Sequence, residues 1–336
     1  MARSTPAATE PLLADWQPTD FDALERGVLV ANHRLAETGL FTDEALAAIF
    51  DSHPAEHLSV NTMGKTKEKF DWREGDRNGV PGDDLVQMVR EGHLWINCRQ
   101  MLQHQPAHAE VITALFDEME DGAPHFRAED RTANLLISSP NAWVPYHVDM
   151  PVNMLWHIRG KKRAWVYPHF DKRFASPICL EKVCSGEWSE DVPYDPDWDK
   201  YALVYDAEPG QLIAWPQLAP HRVENLEGLN VSLSTEHKNP RARRRLNVHS
   251  GNHVLRQRLG YACQSIDVDG AAAHVKQLIA RIDRYAGKLF GKEKEQWTYP
   301  VTFVLDPSEP DGFRLLDVSD ETVLVAHEAD KQVVGA

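Results

Sequence analysis

The rhythm of apolar positions changes twice along this chain and divides it into three stretches. From Phe21 to Phe50 apolar residues recur at helical spacing, with Leu24, Val28, Leu29, Ala31 and Leu35 on one face. Thr42-Asp-Glu-Ala starts a second helix there, with Thr42 as N-cap and acidic residues in the first turn. Alternation predicts strands over His57–Met63 and Leu94–Cys98; periodicity predicts helices over Asp83–Gly92 and Ala107–Glu118. Residues 1–125 are therefore expected as N-terminal helices with flanking strands, behind a loose Pro/Ala/Thr-rich arm of about 20 residues.

Residues 126–240 read differently. Short β-type runs follow one another, divided by Gly, Pro and Asn: 134–138, 144–150, 153–158, 163–167, 203–205, 211–215, 221–225 and 230–235. Eight such runs predict two Greek keys closed into a double-stranded β-helix, a cupin-like jelly roll. The fold class is thus mainly β with flanking helices (α+β). Residues 169–200 interrupt the rhythm with Trp, Pro and acids, as a functional lid or rim does. Trp188, Tyr194, Trp198 and Tyr201 are its candidate substrate-facing aromatics.

Residues 241–336 form a C-terminal extension. Ala271–Phe290 is strongly amphipathic, with Val275, Leu278, Ile279, Ile282, Tyr285, Ala286 and Leu289 on one face. That face is expected to pack on its own barrel, or else on a second copy in a homodimer. Two strand-like runs follow, at 301–305 and 313–317. The basic run Arg241-Ala-Arg-Arg-Arg245 reads as a solvated strand-to-helix connection.

Composition narrows the partners. A formal net charge of −15 over 336 residues disfavours nucleic acid and anionic membranes, which it repels at long range. The four cysteines show no CxxC spacing, so reduced thiols in a cytoplasmic protein are expected. No long uncharged apolar run and no leader-like N-terminus occur, so neither export nor a membrane span is expected.

The chemistry lies in the β-rich stretch. Non-haem iron oxygenases hold Fe(II) with two His and one carboxylate on one face of the metal, which leaves positions open for cosubstrate and O₂. His147-Val-Asp149 has the first half of that spacing and follows an extended segment between two predicted strands. His169-Phe-Asp171 shares the spacing but begins the insertion, and His108-Ala-Glu110 opens a helix. A distal His is expected after a tight turn and a short strand. Pro209-Gly-Gln-Leu-Ile-Ala-Trp215 followed by His221 supplies it. The hairpin Ile158-Arg-Gly-Lys-Lys-Arg163 offers Arg159, Lys162 and Arg163 as cations for a carboxylate ligand, and alternation puts Lys162 on the face of Ala164 and Val166.

The run Thr132-Ala-Asn-Leu-Leu-Ile-Ser, then Val144-Pro-Tyr-His-Val-Asp149, then Asn153-Met-Leu-Trp-His-Ile-Arg-Gly-Lys-Lys162, resembles the JmjC and cupin-like oxygenases. Over roughly residues 130–240 it is most similar to the type of the asparaginyl hydroxylase that inhibits hypoxia-inducible factor. The resemblance implies His147, Asp149 and His221 as the iron ligands and Lys162 as the partner of the 2-oxoglutarate C5 carboxylate. It also implies polar contacts to the cosubstrate from Asn153 and Ser234. Where such relatives carry Thr, this chain has Val144, so that hydrogen bond is expected from Tyr146, Asn134 or Ser232. The function implied is hydroxylation of a protein or peptide side chain with Fe(II), 2-oxoglutarate and O₂, giving succinate and CO₂. A small-molecule hydroxylase and a non-catalytic cupin-type binding or regulatory protein are the alternatives.

Overall fold

A computed structural model describes residues 10–63, 72–190, 192–261, 265–289, 300–309 and 311–316. Two strands open the chain, β1 (Leu13–Ala14) and β2 (Leu29–His33), with helix α1 (Pro18–Ala23) between them. The helix expected from Phe21 onward is therefore broken. Leu29, Ala31 and His33 are buried at alternate positions, and β2 pairs antiparallel with a barrel strand, so backbone pairing at that edge overrides the helical spacing. The next segments match their patterns: α2 (Asp43–Ser52), capped by Thr42, whose hydroxyl accepts from the Ala45 N–H; β3 (Leu58–Thr62); β4 (Arg73–Asp76); α3 (Gly82–Glu91); and β5 (Leu94–Cys98). A short α4 (Met101–His104) leads into α5 (Pro106–Gly122).

The barrel follows. Its strands are β6 (Glu129–Ser138), β7 (Trp143–His147), β8 (Val152–Val166), β9 (Leu203–Ala207), β10 (Gln211–Ala214) and β11 (His221–Lys238). Two of these are long because each serves both sheets of the jelly roll. The first half of β8 pairs with β10 and with the second half of β11, which in turn pairs with β6. The second half of β8 pairs with β9 and with the first half of β11, which pairs with β7. Two four-stranded layers result, built from the eight predicted runs. Around them the first layer continues outward through β2 and β1 at one edge. At the other edge run β5, β3, β4, β12 (Val301–Leu305) and β13 (Phe313–Leu315).

The first half of β8 is buried on both faces, which explains its near-continuous apolar reading. Met154, Trp156 and Ile158 join the main core with residues of α2, α3 and α5. Leu155 faces inward, into a smaller cluster with Ala164, Val166, Ile213, Trp215 and Ala219 that lines the barrel. Where β8 passes from one layer to the other, Gly160 has φ +79° and lies against Asn230 and the Leu229 carbonyl. A Cβ there would stand 2.6 Å from Asn230 Nδ2 and 2.8 Å from Leu229 O. Gly160→Ala should cost about 3 kcal/mol in urea unfolding, combining left-handed strain with a backbone clash; a loss under 1 kcal/mol would show that the bend relaxes freely.

The insertion holds α6 (Pro177–Ser185), and α7 (Pro240–Leu259) and α8 (Ala271–Leu289) close the chain's helical end. Arg241–Arg245 occupies the first turns of α7 and is no connecting loop, because Asn239 caps that helix, accepting from the Ala242 N–H at 2.6 Å. A second correction concerns α8. Its buried residues are Ala273, Lys276, Gln277 and Ala280, while Val275, Leu278, Ile282, Tyr285 and Leu289 are 56–72% exposed. The apolar face does not pack on the barrel. Gly251 of α7 lies against the Lys276 carbonyl, and Lys276 and Gln277 donate to the carbonyls of Ser265 and Val268, so the polar side of α8 is the one drawn against α7. Phe290 and Asp317 lie outside the described residues. Cys98, Cys179 and Cys184 are free thiols, and Cys263 also lies outside the described residues.

Candidate metal centre

β7 ends and β11 begins side by side, with His147 opposite His221 in the ladder. Asp149 follows two residues after His147, on the loop that enters β8. His147 Nε2 lies 3.7 Å from Asp149 Oδ1, and His221 Nε2 lies 3.3 Å from Oδ2. Their candidate ligand atoms all fall within 4.8 Å of one another, and no other such group of three occurs among the described residues. In both histidines Nδ1 faces a backbone carbonyl, Pro145 O at 2.8 Å and Ala219 O at 3.0 Å. Donation there fixes the tautomer and turns an Nε2 lone pair towards the shared point. Burial, and then the neighbouring His147, push His221 down to about 4, so at neutral pH it has the uncharged form a ligand needs.

The carboxylate is held from behind. Asn153 Nδ2 donates to Asp149 Oδ2 at 2.6 Å, and Ser234 Oγ donates to Asn153 Oδ1 at 2.9 Å. Of the two residues expected to contact the cosubstrate, Asn153 thus bonds the aspartate and Ser234 bonds Asn153. Asn153→Ala should weaken metal affinity roughly ten- to a hundredfold, as loss of such an orienting partner does elsewhere; cobalt titration at unchanged circular dichroism would check this, and an unaltered Kd would count against the relay. The insertion clamps the same loop: Glu190 accepts the Val148 N–H on its carbonyl at 3.0 Å and the Met150 N–H on its carboxylate at 2.9 Å. From the other side Gln217 donates to the Met150 carbonyl at 2.6 Å and accepts from Arg245 of α7 at 3.0 Å.

Farther along the barrel interior lies Lys162. Arg159, Lys161 and Arg163 pair with Asp43, Glu208 and Asp206 at or near the surface, whereas Lys162 is 3% exposed. Its Nζ donates to Asn225 Oδ1 at 2.8 Å, and Asn225 donates onward to Ser138 Oγ and Ser139 O. Burial lowers its pKa to about 8. Since Val166 pairs with His221, Lys162 sits four residues, about 13 Å of strand, from the His221 end. Between them the wall is apolar: Leu155, Ala164, Val166, Ile213 and Trp215. The Trp215 ring lies 4.2 Å from the His221 ring at a tilt of 37°, and its buried Nε1 has no acceptor among the described residues. Sequence reasoning did not identify Trp215 or Asn225. Alternation along β10 and β11 was the available signal.

Tyr146 is a correction. Alternation along β7 turns it away from His147, and its hydroxyl donates to the Phe174 carbonyl among Tyr167, Tyr194 and Trp198. The insertion aromatics largely pack there, with Asp199 accepting from Tyr167 and Tyr194. Asn134 stands opposite Ser234 and accepts from the Gln100 N–H at 3.2 Å; Ser232 contacts His157. His169 lies in a loop, Asp171 pairs with Arg173, and His108 is buried against the Leu40 carbonyl.

The chain matches the model of a cupin-like domain family over residues 13–240. No curated protein matches it. Among solved structures, Escherichia coli YcfD is 17% identical with a TM-score of 0.49, covering 89% of this chain and 76% of that one. The same ribosomal oxygenase in complex with cobalt and 2-oxoglutarate is 17% identical with a TM-score of 0.46, covering 93% and 84%. An oxalate decarboxylase variant from Bacillus subtilis is 14% identical with a TM-score of 0.24, covering 45% and 27%.

Proposed function

The chain belongs to the cupin-like domain family, and from that premise we propose that it is an Fe(II)- and 2-oxoglutarate-dependent oxygenase. One observation carries the reading: a two-His, one-carboxylate face and a buried lysine stand at the two ends of one apolar barrel interior. The residues fit the groups they would hold. Two imidazole nitrogens and one carboxylate suit iron(II) and leave coordination positions open. A dicarboxylate suits the rest. Among the described residues Lys162 has one neutral acceptor for its three donors, and Trp215 Nε1 has none.

His147, Asp149 and His221 would hold the metal, and Lys162 the far carboxylate of 2-oxoglutarate. Together, iron and cosubstrate supply hydroxylation of a substrate C–H bond by O₂, with 2-oxoglutarate leaving as succinate and CO₂. The chain's own part is to fix the carboxylate of Asp149 through Asn153, to hold both histidines in one tautomer, and to keep the interior dry. The substrate we propose is a protein or peptide side chain. The cavity of about 440 Å³ beside Met150 and Pro151, roofed by α7 and α8, favours a small molecule as the second reading.

The test is succinate formation from 2-oxoglutarate by anaerobically iron-loaded protein on exposure to O₂, beside a His147→Ala control. It is read together with the visible charge-transfer band on cosubstrate addition. Slow turnover and a band in the wild type alone are expected; absence of both would leave a binding or regulatory barrel.

We propose also that two copies associate through α8. Val275, Leu278, Ile282, Tyr285 and Leu289 follow strict 3–4 spacing, the seam of helix paired with helix rather than of helix on sheet. Light scattering should give about twice the chain mass of 38.1 kDa, and Leu278→Asp with Ile282→Asp should halve it; a monomeric wild type would end the idea.

A further inference from the structure

The wall of the barrel mouth carries a carboxylate that the proposed chemistry does not use. Glu236 follows Ser232 and Ser234 at alternate positions of β11 and stands opposite Asn153 in the ladder, so it belongs to the face that holds Asp149 in place. It lines the 440 Å³ cavity, which begins at Met150 and Pro151 and ends under Asn247 of α7 and Asp283 of α8. Asp130, Glu190 and Asp283 line the same space.

Those three carboxylates have partners. Asp130 lies 3.0 Å from Arg243, Glu190 accepts from the Met150 N–H, and Asp283 pairs with Arg258. Glu236 has the Thr132 hydroxyl at 3.3 Å and no cation at ion-pair distance among the described residues. Lys238, two residues farther along the strand, stands 3.9 Å from Asp130 instead. Burial, and then the nearby Asp149 carboxylate, push Glu236 up to about 7, and the Thr132 hydroxyl and the charge of Lys238 offset that rise only in part. Of the cations that line the same cavity, Lys238 is drawn to Asp130 and Arg284 to the Asn247 side chain, so an incoming cation at Glu236 would remove that cost.

Building on the oxygenase reading, we propose that Glu236 is the specificity-determining residue of this cavity and receives a positively charged group of the substrate, a guanidinium or an ammonium. A cation docked on Glu236 places the carbons a few bonds away beside the Asp149 loop, where oxidation would occur. The same chemistry serves a free basic metabolite and a basic side chain on a polypeptide.

The experiment uses full-length protein loaded with Co(II) and 2-oxoglutarate and titrated calorimetrically with Nα-acetylated amides of arginine, lysine, glutamine and glutamate. The wild type should bind at least one cationic probe roughly tenfold or more tighter than the glutamine probe, the worth of one charge-assisted hydrogen bond. Glu236→Gln, with its circular dichroism unchanged, should abolish that preference. Equal affinity for the neutral probe, or a preference that survives Glu236→Gln, overturns the assignment. Repeating the titration with the same residue inside a ten-residue peptide separates the sources. Tighter binding of the peptide supports a polypeptide carrier, equal binding supports a small molecule, and binding of neither cationic form overturns the proposal. Should Co(II) and 2-oxoglutarate fail to bind, the oxygenase reading falls, and the same probes on the unloaded protein still decide the role of Glu236.

Discussion

Lys162→Met should yield a protein that is more stable than the wild type at pH 7 and that no longer binds 2-oxoglutarate. Lys162 is buried with its ammonium bonded to a neutral amide, and desolvation takes its pKa from 10.5 to about 8. The unfolded chain therefore binds more protons than the folded one between those two values, and stability rises with pH across that window. Below pH 8 the penalty is present in full, on the order of 3 kcal/mol. Methionine has similar length and no charge, but it leaves Asn225 Oδ1 without its donor, which returns about 1–2 kcal/mol of the gain. A net stabilisation of about 1–2 kcal/mol at pH 7, shrinking towards pH 10, is the expected result of denaturant titrations at several pH values. Metal affinity should be little altered, while the cosubstrate band disappears. A variant that is less stable at pH 7, or that still binds 2-oxoglutarate with wild-type affinity, would remove Lys162 from the site.

Asp149→Ala should cost the metal rather than the fold. Both histidines are neutral ligands, so the aspartate supplies the only negative charge among the three. A unit charge about 4 Å from another is worth roughly 4 kcal/mol at an effective dielectric near 20, and a divalent ion doubles it. Even half of that sum corresponds to about a thousandfold in Kd. Cobalt titration followed by visible absorption should show a loss of that size, with far-ultraviolet circular dichroism unchanged. Binding within tenfold of the wild type would mean that the metal is held elsewhere.

The two barrel layers and the convergence of His147, Asp149 and His221 were legible in the sequence for physical reasons. Strands buried on one or both faces leave alternating or continuous apolar runs, and two side chains that converge from one strand end leave an H-x-D spacing in the chain. Alternation also separated Lys162 from Arg163, which the structure finds paired with Asp206. The misses share a cause, dependence on neighbours far away in sequence. β2 looked helical because Leu29, Ala31 and Leu35 also fit a helical face; its partners β10 and β1 make it a strand. α7 buries few large apolar residues and packs by close backbone approach at Gly251, so it has little apolar periodicity to read, although Asn239-Pro240 and Gly260 mark its ends. On α8 the pattern showed that an apolar face exists, and it held no information on what that face touches. Asn225 and Trp215 became identifiable only once register set them beside Lys162 and His221.

The bond from Gln217 to the Met150 carbonyl, with Arg245 behind it, ties the loop that carries Asp149 to a helix beyond the segment shared with the family. α6 is bound to that helix as well, through the bidentate pair of Arg256 with the buried Glu181. If the triad holds a metal as proposed, its occupancy and the docking of α7 are coupled through these bonds. By reciprocity, whatever free energy a seated α7 lends to metal binding, a bound metal must return to the seating of α7. A barrel excised at residue 240 would keep its ligands and lose that half of the exchange.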